Sequence, residues 1–274
     1  MKYAICNETF EGWELPLIFE VCGRLGYEGV ELAPFTICER VTDVSRQERR
    51  RIRDEAAQRA LEIPGLHWLL ARTQGLHLTS PDAAVRDETA DYLVELIEFG
   101  FDLGATRLVF GSPAQRNLLP GVDPRDAWDW SRAVFFRCAE AAADRGLIFC
   151  LEALPPPESN LFTTVDDCLR MVGEIGHPGF STMLDVKSMA SEPRPIPETI
   201  ARAVHAARYV HANDANRREP GSGDTDFVPI FRALRGGGYD GWMSVEVFDY
   251  STGGLNIARN AIAYLRGAEA SSHG

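Results

Sequence analysis

Four side chains able to hold a metal stand at the ends of short apolar runs. Leu147-Ile148-Phe149-Cys150-Leu151 leads into Glu152, and Phe180-Ser181-Thr182-Met183-Leu184 leads into Asp185. Tyr209-Val210 leads into His211, followed by the polar string Asn213-Asp214-Ala215-Asn216-Arg217. Trp242-Met243-Ser244-Val245 leads into Glu246. Three carboxylates and one imidazole make an oxygen-rich donor set. It suits one divalent ion, Mn²⁺ foremost with Mg²⁺ or Co²⁺ as alternatives, better than the Cys- and His-dominated chemistry of zinc. Any one of these residues alone would pass for an ordinary polar strand end. Four at matching positions on successive runs point to a shared site.

Something must bring four separated segments together, and the rest of the chain supplies it. Apolar runs predict strands at 3–7, 29–33, 63–70, 107–110, 147–151 and 180–184, one starting at Tyr209, and one at 242–245. Between them lie helical stretches. Residues 15–25 precede Gly26, a left-handed stop. Ser45 with Glu48 reads as a capping box. Ser80 reads as the cap of a helix reaching Leu103, with Pro81 at its first position. Asp123-Pro124 opens a helix to about residue 145, and Thr164 with Asp167 opens one to Gly176. Further helices are predicted over 197–207, 227–234 and 255–265, with loops at 111–122, 186–197 and 219–226 and a frayed tail from Ala268. Eight βα repeats imply a parallel sheet, and at about 250 residues they imply closure into a (β/α)8 TIM barrel. No linker-like shift in composition divides the chain, so residues 1–274 are read as one domain. In such a barrel the carboxyl ends of the strands form the mouth, where Glu152, Asp185, His211 and Glu246 would meet.

Composition narrows the function classes. With 274 residues and 45% hydrophobic content, the chain can bury a large core. A net charge of −12 opposes a phosphate-backbone binder, so no nucleic-acid partner is expected. The six cysteines are scattered without a C-x-x-C pair, which reads as buried thiols in a reducing compartment. The first residues lack the apolar core of a signal peptide, and no run approaches a membrane span of about 18 apolar residues. A cytoplasmic protein with no membrane contact is expected.

The segments Leu151-Glu152, Leu184-Asp185, Val210-His211 through Ala215-Asn216-Arg217-Arg218-Glu219-Pro220-Gly221, Gly238-Tyr239-Asp240-Gly241-Trp242 and Val245-Glu246 carry a specific likeness. The chain resembles the sugar phosphate isomerase/epimerase superfamily of xylose isomerase-like TIM barrels, in particular ketose epimerases of the D-tagatose 3-epimerase type. The resemblance implies that Glu152, Asp185, His211 and Glu246 hold one divalent metal. It also implies that the two glutamates face opposite sides of the substrate, and that Glu158 and Arg217 contact substrate oxygens. One position departs. The family often has a histidine three residues after the aspartate, where this chain has Ser188. The neighbouring Lys187 is a replacement donor in this reading, and His67 and Trp68 on the third strand are further candidates to line the mouth.

A mechanism follows from these expectations. The metal would act as Lewis acid and template for a ketone oxygen and its neighbouring hydroxyl. Glu152 and Glu246 would then be the catalytic acid–base pair, one removing the proton beside the carbonyl to give an enediolate and the other returning it. Return from the opposite face gives epimerisation, and return to the adjacent carbon gives isomerisation. Loss of a β leaving group gives dehydration, the chemistry of an inosose or dehydroshikimate-type lyase. The expected partner is a ketose, keto-sugar or cyclitol, and homo-oligomers are common in families the chain resembles. An endonuclease IV-like phosphoesterase would need more histidines, and a barrel that only binds sugar would not need this donor set.

Overall fold

The computed structural model describes residues 1–273. In chain order the elements are β1 (Lys2–Cys6), α1 (Leu15–Leu25), β2 (Gly29–Glu31), α2 (Arg46–Ala57), β3 (Gly65–Leu66), α3 (Ala83–Leu103) and β4 (Arg107–Phe110). They continue with α4 (Pro113–Arg116), α5 (Pro124–Asp144), β5 (Ile148–Leu151), α6 (Val165–Ile175), β6 (Phe180–Asp185), α7 (Val186–Ala190) and α8 (Ile196–Ala203). The chain ends with β7 (Ala207–Ala212), α9 (Phe227–Gly236), β8 (Trp242–Val245) and α10 (Gly254–Ser271).

The eight strands run in the order β2-β1-β8-β7-β6-β5-β4-β3, and every pairing is parallel. The remaining seam is bridged at Gly29–Glu62 and Leu32–Leu66. Main-chain bonds from Val30 N to Glu62 O (3.0 Å) and from His67 N to Leu32 O (3.1 Å) complete it. The sheet is therefore a (β/α)8 barrel with the longer helices outside.

The barrel's interior explains why the four candidate ligands share one level. Ala4, Val109, Cys150, Met183, Tyr209 and Trp242 pack together as an inner cluster. Side chains alternate along a strand, so residues two positions on face the same way. Two residues beyond Cys150, Met183 and Tyr209 stand Glu152, Asp185 and His211, and Glu246 stands four beyond Trp242. Register carries this across the sheet: Asp185 pairs with His211 and His211 with Ser244. The apolar layer thus floors the barrel, and the polar layer sits above it at the carboxyl ends.

Local chemistry sets the helix ends. Thr164 and Asp167 form a reciprocal capping box, and Asp123 accepts from Arg125 N at 2.8 Å with Pro124 in the first turn. Gly26 and Gly104 end α1 and α3 in the left-handed region at φ 87° and 83°, where a side chain would be strained.

Four expectations need correction. The third strand, expected over 63–70, is only Gly65–Leu66. Pro64 lacks an N–H, and Trp68 takes a left-handed φ of 51°, so the ladder cannot extend either way. Asp82, not Ser80, caps α3, accepting from Ala84 N at 2.9 Å. Ser80 instead closes a local turn by accepting from Asp82 N. The loops at 111–122 and 186–197 contain the short helices α4 and α7. The tail is not frayed as far as Ser271: α10 is pinned where Tyr3 Oη donates to Glu269 Oε2 at 2.6 Å. Residue 274 lies outside the described residues. All six cysteines are free thiols.

Candidate active site

Glu152 and Glu246 immediately follow β5 and β8, Asp185 ends β6, and His211 lies one residue from the end of β7. All four are buried, and their donor atoms lie within 4.8 Å of one another. His211 Nδ1 is 3.7 Å from Glu152 Oε1 and 3.1 Å from Glu246 Oε2. Yet neither His211 Nδ1 nor Glu246 Oε2 has a hydrogen-bond partner. Buried polar atoms are ordinarily satisfied, so orphaned donor atoms converging on one point fit a cation.

Each candidate ligand is oriented from behind. Asp185 Oδ1 accepts from Ser188 N at 2.7 Å, which also caps α7, and Oδ2 accepts from Asn213 Nδ2 at 2.6 Å. His211 Nε2 faces Glu31 at 3.2 Å, the carboxylate–imidazole pairing that fixes a ring with its other nitrogen forward. Trp68 Nε1 donates to Glu246 Oε1 at 3.0 Å. Gly111 packs so closely against Glu152 that a Cβ there would collide with Oε2. Arg116, fully buried, donates to the carbonyls of Gly111, Glu152, Leu161 and Phe162 and so fixes the chain on both sides of Glu152.

The charges of these groups oppose one another. Burial, then the negative Glu246 and Asp185, push the Glu152 carboxyl up, only partly offset by His211. Burial also acts on Glu246, but the adjacent His211, with His67 and Lys187, pulls it well below the usual carboxylate range. Burial disfavours a charged His211, yet Glu246 and Glu31 outweigh it and raise the imidazole well above its ordinary value. A cation among them would reverse this balance by taking over the stabilisation of the carboxylates.

A family model described as a xylose isomerase-like TIM barrel matches residues 19–268. The chain belongs to that family. Within it, the chain is 29% identical over 182 residues to an L-ribulose 3-epimerase of Mesorhizobium japonicum, covering 66% of this chain and 61% of that protein. It is 29% identical over 192 residues to a ketose 3-epimerase of Arthrobacter globiformis, covering 69% of this chain and 66% of that one. These matches span somewhat less than two thirds of the relatives' own lengths. The barrel is also similar to a solved structure of D-psicose 3-epimerase with D-tagatose from Clostridium cellulolyticum H10. There the TM-score is 0.86 at 22% identity, with 98% of this chain and 99% of that chain covered. At that identity the likeness is one of fold.

The remaining expected residues fall into two groups around this barrel's mouth. Glu158 receives Lys187 Nζ at 2.8 Å on both oxygens and Arg217 Nη1 at 3.3 Å. Both cations lie over the Phe248 ring, at 4.6 and 5.1 Å from its centre. Glu158 and Arg217 line a small pocket with Glu152, Glu246, Trp68 and Phe248, whereas Lys187 reaches it only through Glu158. His67 is fully buried, 2.9 Å from Glu8 and 3.5 Å from Glu31, and does not line that pocket. Burial lowers its pKa, but Glu8 and Glu31 outweigh this and raise it to about 9. Trp68, expected from sequence as a residue able to line the mouth, does line the inner pocket, whereas sequence reasoning missed the contacts of Arg116 and Asn213. Asn213 stood in the polar string after His211. Arg116 gave no signal, since its partners are main-chain carbonyls.

Proposed function

We propose that this chain is a divalent-metal-dependent epimerase of a ketose or keto-sugar, working by proton transfer beside a carbonyl. One observation carries the reading: two glutamates meet an aspartate and a histidine within 4.8 Å, with buried donor atoms left unpaired. A cation held by Glu152, Asp185, His211 and Glu246 would supply Lewis acidity to a carbonyl oxygen and its neighbouring hydroxyl.

The chain's own residues do the rest. Glu152 and Glu246 both line the inner pocket, so a substrate carbon there meets a carboxyl from each. In one direction Glu246 takes the proton and Glu152 returns one to the other face. The reverse reaction exchanges the roles. Each transfer contributes about 10²–10⁴-fold. Trp68 holds Glu246 in place by its indole N–H. Glu158 and Arg217 are proposed to bind substrate hydroxyls, with Lys187 fixing Glu158. The relatives named above are ketose epimerases, which supports this substrate class.

The test is exchange in deuterated water. Enzyme loaded with Mn²⁺ is given a panel of ketoses, keto-glycosides and inososes and followed by NMR. The reading expects deuterium at the carbon beside the carbonyl, a new stereoisomer, loss of both on chelation and recovery with Mn²⁺. Exchange that survives chelation, or product appearing as an enone by loss of water, would replace it.

A further inference from the structure

The inner pocket is small, about 130 Å³, and it shares Trp68, Ser112 and Pro113 with a much larger groove of about 850 Å³. Ligand sites usually run to about 300–1,000 Å³, so the inner pocket alone is below that range and the groove near its top. The groove is walled by aromatic rings, Trp13, Phe35, Trp68 and Tyr250 among them. Phe248 in the inner pocket lies 6.4 Å from Trp68, and Trp68 lies 6.1 Å from Phe35 in the groove, so a row of rings leads outward from the reacting carboxyls. Aromatic faces are electron-rich and bind the slightly positive C–H face of a pyranose ring.

Glu8 lines the groove but is turned inward: its side chain is only 8% exposed and its Oε1 lies 2.9 Å from His67 Nε2. The groove's charge gives a second constraint. It is lined by five carboxylates (Glu8, Glu11, Glu14, Glu48, Glu55) and two guanidinium groups (Arg51, Arg72). Arg51 is already paired with Glu48 and Glu55. This surplus of negative charge repels a phosphate ester.

We infer that the groove is a subsite for a second, uncharged ring, so that the preferred substrate is a glycosylated keto-sugar rather than a free ketohexose or a sugar phosphate. The inference rests on the epimerase reading and deepens it. The reacting sugar occupies the inner pocket, Trp68 separates the two rings, and the second lies between Trp13 and Phe35.

The test compares Mn²⁺-loaded enzyme on matched probes: free ketohexoses, the same sugars bearing a glucosyl group, 3-keto-glucosides, and ketohexose 6-phosphates. Deuterium wash-in gives kcat/KM for each. A glycosylated probe is expected to exceed its free sugar by at least tenfold, chiefly through KM, and the phosphates to fall below both. Trp13→Ala, which removes a wall, and Ala114→Trp, which fills the groove from an exposed position, should each cut the glycoside-to-free-sugar ratio about tenfold. The ratio is insensitive to partial misfolding, which lowers both rates together. Free ketohexoses turned over as well as their glycosides, or phosphates preferred, would overturn the subsite and leave the epimerase reading standing. No exchange with any probe would overturn both.

Discussion

Glu246 is held from two directions, by Trp68 Nε1 at 3.0 Å and through its own N–H to Ala212 O at 3.2 Å, and its unpartnered Oε2 faces His211 Nδ1 at 3.1 Å. Two substitutions separate its chemistry from its placement. Glu246→Gln keeps the size and most contacts but removes the titrating group, so the variant should still fold and lose substrate C–H exchange by about 10²–10⁴-fold. Wild-type exchange in that variant would remove Glu246 from the reaction. Trp68→Phe keeps a ring in the wall but loses the donor. A hydrogen bond to a charged group is worth about 1.5–3 kcal/mol, so kcat should fall about ten- to a hundredfold. Gly111→Ala should act on the opposite carboxyl, since the added Cβ would displace Glu152. Glu152 and Glu246 were legible from sequence because each follows an apolar run that ends there. The Glu31–His211 contact was not, because its partners are separated by 180 positions and meet only when the barrel closes.

At the scale of elements, the alternation of apolar runs and capped helices was enough to place eight strands. β4 and β6 lie where their sequences put them, and the Thr164–Asp167 capping box is present. What failed was the length of one strand and the type of two short segments read as loop, α4 and α7. β3 shrank because Pro64 cannot donate and Trp68 turns left-handed, and the same turn places Trp68 beside Glu246. α7 was read as loop because its cap, Asp185, looked like a strand end committed only to the mouth. Two stability predictions belong here. Thr164→Ala removes the cap of α6 and should cost about 1 kcal/mol, read as a lower denaturation midpoint with unchanged slope. Arg116→Met should cost several-fold more. It strips donors from four buried carbonyls, each unsatisfied group costing about 1–3 kcal/mol, and should open the chain around residues 111 and 152–162 to proteolysis. Equal midpoints for Arg116→Met and wild type would show that Glu152 is not anchored this way.

For the whole molecule, closure of the sheet collects acidic groups from strands far apart in sequence around a few cations. The chain's own charges leave Glu152 and His211 holding protons more tightly than usual, for the reasons of burial and neighbouring carboxylates given above. A metal must displace those protons, so its affinity should rise with pH and its uptake should release protons. Calorimetry in buffers of different ionisation enthalpy would count them; uptake with no proton release at neutral pH would contradict this charge balance. Among the described residues no helix is long and apolar enough to cross a membrane. The most direct test of the central claim is anomalous diffraction from Mn²⁺-loaded crystals. The account predicts one strong peak at bonding distance, about 2.0–2.6 Å, from oxygens of Glu152, Asp185 and Glu246 and from Nδ1 of His211. A peak held elsewhere, or none beside those four residues at saturating metal, would contradict it.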